Sequence, residues 1–102
     1  METLRLSKAI QINGKEFSEI PYDFENMTAK DKIDAGKAMK AAGIPLGTVE
    51  ELDSDYHFYL FAAAASKANS EIDISDVLRM SAKDAQKASE ASRCFFYMDS
   101  EE

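Results

Sequence analysis

Leu4-Arg5-Leu6-Ser7-Lys8-Ala9-Ile10-Gln11-Ile12-Asn13-Gly14-Lys15-Glu16-Phe17-Ser18-Glu19-Ile20-Pro21-Tyr22-Asp23-Phe24 is the stretch that decides the fold class. Leu4, Leu6, Ile10 and Ile12 fall on even positions with polar residues between them, the period-2 pattern of a half-buried strand. Asn13-Gly14 follows, and both residues tolerate the positive φ of a type I′ turn. The return strand carries Phe17, Ile20, Tyr22 and Phe24, so residues 3–24 read as an antiparallel hairpin. A two-residue turn pairs Ile12 with Lys15 and Ile10 with Phe17. Continued, that register sets Leu6 against Pro21 and Leu4 against Asp23, which buries the wrong face of the second strand. One extra residue in the second strand restores it, so the sequence predicts a β-bulge near Ser18-Glu19, with Leu6 opposite Tyr22 and Leu4 opposite Phe24.

Downstream the period changes to that of helices. Thr28-Ala29-Lys30-Asp31 is a helix start, with Thr28 placed to cap and Asp31 in the favourable first turn. The helix is expected over 29–42, with Ile33 and Met39 as its large inward groups, and it stops at Gly43 ahead of Pro45. Ile44, Leu46 and Val49 in the following loop are expected to pack down on the core. A second helix is expected over 53–68. Tyr56 to Phe61 is apolar nearly all round, as a central helix is, and Ala62 to Ala65 lets another helix approach closely. Ile72 to Leu78 opens a short helical turn that should direct Val77, Leu78 and Met80 inward. Ser81-Ala82-Lys83-Asp84 repeats the capping pattern before a last helix over 82–98, and residues 99–102 form an acidic tail. The expected architecture is one α+β domain over 1–102, the hairpin packed on a small bundle of about three helices.

Charge and composition narrow the function. Nineteen Asp and Glu against twelve Lys and Arg give a net charge of −7, with the basic residues scattered singly. That pattern argues against a nucleic-acid or anionic-membrane partner and favours a basic one. The longest apolar run, Phe58 to Ala65, is eight residues, against about 20 needed to span a bilayer. The opening residues lack the apolar run of a signal peptide. With one cysteine no intramolecular disulfide forms, so a reducing, cytoplasmic location is expected. Cys94, inside Arg93-Cys94-Phe95-Phe96-Tyr97, reads as a buried small hydrophobe.

The residue types of catalysis are thinly supplied. His57 lies between Tyr56 and Phe58 and reads as a partly exposed structural histidine, not a general base. Glu50, Glu51, Asp53 and Asp55 cluster where they complement a helix N-terminus. Asp73-Ser75-Asp76 lacks the glycine and the closing glutamate of a calcium loop. We therefore expect no catalytic, cofactor or metal site. Phe96, Tyr97 and Met98 close the last helix with more bulk than its alanine-rich start, and are the residues singled out to cover the core or meet a protein partner.

The order of parts resembles that of the small phage tail assembly chaperones, in particular the Mu-like group. The likeness lies in Leu6 to Ile20, a strand, an Asn-Gly turn and a second strand, followed by the helix start at Thr28-Ala29-Lys30-Asp31. It continues in Leu78-Arg79-Met80-Ser81-Ala82-Lys83-Asp84 and in the bulky close Phe95-Phe96-Tyr97. The alanine-rich last helix departs from common members. The resemblance implies a non-enzymatic phage or prophage protein, acting in the bacterial host cytoplasm. It would bind the long helical tape measure protein until tail tube subunits assemble around it. A structural head–tail or tail component, an acidic adaptor or inhibitor of a host protein, and self-association stay open at this point.

Overall fold

The computed structural model describes residues 2–47 and 49–98, with the side chain of Met98 left out. Strands β1 (Glu2–Ile12) and β2 (Lys15–Tyr22) form an antiparallel hairpin. Helices α1 (Ala29–Ala41), α2 (Ser54–Ala68), α3 (Ile74–Val77) and α4 (Ala82–Arg93) follow, giving the α+β fold expected. The predicted acidic tail, 99–102, lies outside the described residues.

The turn forms as its residues demand, with Asn13 at φ 52° and Gly14 at φ 79°. Ile12 pairs with Lys15 and Ile10 with Phe17. The register then shifts, but not where the sequence placed the shift. Arg5 pairs with Glu19, Leu4 with Ile20 and Glu2 with Tyr22. Between the pairs Arg5–Glu19 and Ile10–Phe17, β1 spends the residues Leu6 to Ala9 while β2 spends only Ser18. The surplus residues therefore sit in β1, not at Ser18-Glu19, and Leu6 does not meet Tyr22 nor Leu4 Phe24. The cause lies at the far end of the chain. Ser7 N–H donates to both oxygens of Asp84 at 2.9 and 3.0 Å, and Lys8 N–H donates to one at 3.2 Å. A carboxylate that takes two successive amides holds β1 in a bulge there.

The Thr28 cap acts as read, and the structure adds one at Asp53. Thr28 Oγ1 accepts from Asp31 N–H at 3.2 Å, and the Asp31 carboxylate accepts from Thr28 N–H at 2.8 Å, closing a capping box. Asp53 caps α2 by accepting from Asp55 and Tyr56, and also holds the preceding loop through Gly47 N–H at 2.6 Å. Gly43 ends α1 at φ 87°, a conformation that costs a side-chain-bearing residue.

The core is a single cluster under the hairpin's apolar face, with α2 at its centre. Nine of the fifteen residues of α2 are buried, and the helix packs on α1, α4 and β2. Phe61 is fully enclosed, its ring 5.1 Å from that of Tyr22. Met39 is fully buried as expected, but Ile33 is 57 % exposed because it lies on the opposite side of α1 from Ala35 and Met39. Val77 and Met80 turn inward while Leu78 stays outside. Ile44 and Leu46 pack on the core, but Val49 does not. Glu50–Leu52 forms a separate 3₁₀ turn ahead of α2. The last helix ends as an α-helix at Arg93 and widens into a π-helical turn over Cys94–Met98.

Candidate functional site

The residues singled out at the chain's end are held by that π turn. The Phe96 ring meets Phe24 edge-on at 5.5 Å and Phe95 at 5.0 Å. The Tyr97 ring meets that of His57 at 5.4 Å, and its hydroxyl donates to Glu50 Oε1 at 3.3 Å. Burial, with the negative charge of Glu50 beside it, raises the Tyr97 pKa, so the phenol stays a donor at neutral pH. Both rings are half-buried and close one end of the core. Met98 ends the turn, and its side chain lies outside the described residues.

The two reactive side chains sit opposite to expectation. His57 is 2 % exposed, its Nε2 2.7 Å from the Glu51 carbonyl. A carbonyl only accepts, so Nε2 carries the proton, and the buried Nδ1 has no partner among the described residues. Helix α2 faces inward at every aromatic position, and His57 goes in with its neighbours. Cys94, expected to be buried, is exposed because the widened turn swings it outward between Arg93 and Phe95.

Asp84 is the buried carboxylate that sequence reasoning missed. It is fully enclosed at the first turn of α4. Burial pushes its pKa up, but the Ser7 and Lys8 amides and the Ser81 side chain pull it further down, to about 2. Lys87 lies 3.5 Å from it, and the same ammonium donates to the Arg5 carbonyl at 2.8 Å. Arg79 reaches the Gln11 carbonyl. Three charged side chains thus engage the polar edge of β1 and tie it to the helices.

Several depressions open on the surface of the described residues, and two of them have distinctive linings. The first is an open groove of about 350 Å³ between α1 and α2, ending at α3. Its base is made by the small residues Ala35, Ala38, Ala62 and Ala63. Along its border Asp31 pairs with Lys67 at 3.1 Å and Asp34 with Lys30 at 2.8 Å. Hydrogen bonds from the Thr28 backbone and the Lys67 side chain hold Asp31 below the usual carboxylate range. The second depression, about 550 Å³, lies where β2 leaves the hairpin. It is lined by Tyr22, Phe24 and Phe95 and by Glu2, Asp23, Glu25 and Asn26.

Among the described residues no three His, Cys, Asp or Glu side chains gather as metal ligands would, and no helix is long and apolar enough to cross a membrane. Geometry thus defines an α+β domain whose open features include an alanine-lined groove and an aromatic, acid-edged depression. Comparison with family models, with curated proteins and with solved structures finds no match to this chain.

Proposed function

We propose that this chain is a non-enzymatic tail assembly chaperone, of phage or prophage origin, that shields a helical segment of the tape measure protein. The observation that supports the reading is the groove between α1 and α2. A base of Ala35, Ala38, Ala62 and Ala63 lets a partner backbone come close, and bulkier partner side chains then fill the depth. Helix-in-groove docking needs such a base, with apolar anchors on one face of the incoming helix. The sequence resemblance supplies the identity of the partner. A net charge of −7 adds repulsion between coated chains, which disfavours their aggregation.

The test is co-expression with the tape measure protein encoded beside this gene. The wild-type chain should bring it into the soluble fraction and co-purify with it. Ala38→Arg, at an exposed position on the groove, should fold normally by circular dichroism and lose the complex. A tape measure protein that stays insoluble with or without this chain overturns the proposal.

A further inference from the structure

We propose that the depression at the open end of the hairpin is a socket for an arginine side chain of a protein partner. The site is separate from the α1–α2 groove and does not depend on the partner being a tape measure protein. Three observations point to a guanidinium. The walls are aromatic: the Phe24 and Phe95 rings stack at 5.1 Å with 20° between planes, and Tyr22 stands 5.2 Å from Phe24. Among the described residues no lysine or arginine lines the depression or the adjoining pocket of about 300 Å³ that shares Glu2, Tyr22, Phe24 and Phe95 with it.

The third observation concerns the acids. Asp31, Asp34, Asp76, Asp84, Glu19, Glu50, Glu51 and Glu71 each have a lysine or arginine within salt-bridge distance. Glu2, Asp23 and Glu25 have none among the described residues, and neither have Glu16, Asp53, Asp55, Asp73 and Glu90; of these acids without a cation only the first three line this depression, where they sit beside aromatic rings. Glu2 Oε1 accepts from the Tyr22 hydroxyl at 2.9 Å, and Asp23 accepts from the Asn26 side chain at 2.7 Å. Those bonds orient both carboxylates and leave lone pairs on each. Burial, with the Glu2 hydrogen bond, pushes the Tyr22 pKa up to about 12, so the phenol stays protonated and keeps donating to Glu2.

An apolar side chain alone would strip water from three carboxylates without replacing it. A carboxylate ligand would be repelled. A guanidinium answers both features: its plane can lie on the partly exposed Tyr22 and Phe95 rings, Phe24 being buried behind them, and its fork of N–H groups matches carboxylate oxygens. An ammonium offers charge without the plane.

The full chain, labelled with ¹⁵N at low ionic strength, is titrated with N-acetyl-arginine methylamide, with the citrulline and lysine analogues as neutral and non-planar controls. The arginine probe should move the amides of residues 2, 22–26 and 91–95 in a saturable way, the citrulline probe should not, and lysine should bind more weakly. Glu2→Gln and Glu25→Gln, both at exposed positions, should each weaken binding roughly threefold to fivefold. Phe95→Leu should weaken it further, and the two glutamine variants decide the question if that substitution loosens the core. Shifts spread over every acidic surface, equal shifts with citrulline, lysine binding as tightly as arginine, or no saturable shift at all would each overturn the proposal.

Discussion

Replacing Asp84 by asparagine tests the link between the two ends of the chain. The carboxylate is fully buried and takes the Ser7 and Lys8 amides while facing Lys87 at 3.5 Å. Asparagine keeps the volume but removes the charge and offers one acceptor oxygen to two donors, and its own N–H₂ would face one of them. A hydrogen bond to a charged group is worth about 1.5–3 kcal/mol, and an amide left without a partner costs about as much. Independently, a pKa drawn from 3.8 to about 2 corresponds to about 2 kcal/mol of stability from ionisation. Asp84→Asn should therefore cost about 2–4 kcal/mol at pH 7 and lower Tm by roughly 10–25 °C. The folded-state pKa is depressed, so this stability is present above the unfolded value and lost as pH falls towards 2. Urea unfolding of both proteins from pH 7 to pH 2 should show a gap that is constant above about pH 5 and closes below it. Subtracting the variant removes the common titration of the other acids. Hydrogen exchange should also show Ser7 and Lys8 losing protection. A variant within about 0.5 kcal/mol of wild type, or a gap unchanged between pH 5 and pH 2, would refute the account.

Thr28→Ala removes one half of the capping box and should cost about 1 kcal/mol by thermal unfolding, while Thr28→Ser, which keeps the hydroxyl, should cost much less. Met39→Ala should cost about 2–5 kcal/mol because Met39 is fully enclosed. Ile33→Ala should stay within about 0.5 kcal/mol because that side chain is mostly in water; denaturant midpoints measure the difference. The native protein should expose one thiol equivalent to a thiol reagent without denaturant, since Cys94 is exposed. If Cys94 reacted only after unfolding, the placement of the π turn would be wrong.

Much of the fold was legible because it rests on contacts within four residues. The Asn13-Gly14 turn, the caps at Thr28 and Ser81, and the helix stop at Gly43 all formed where their residues fall. Helical period alone did not sort Ile33, Leu78 and Val49 from Met39 and Val77. An alanine-rich helix has little apolar bulk with which to mark its buried side, so the neighbouring elements choose it. The aromatic depression was half visible: Phe95 belongs to the bulky close already noted, but nothing local says that it stacks on Phe24.

The hairpin shows the division most sharply. Its apolar residues change parity between Phe17 and Ile20, so the sequence by itself required the two strands to differ by an odd number of residues there. A single extra residue in β2 and a surplus of three in β1 satisfy that requirement equally. The structure takes the second, because Asp84, 77 positions from Ser7, arrives on α4 with a carboxylate that must be satisfied and finds two amides of β1. Local chemistry thus determined the turn, the caps and the parity. Only tertiary structure decided which strand bulges, since the group that holds the bulge reaches it through the packing of α4.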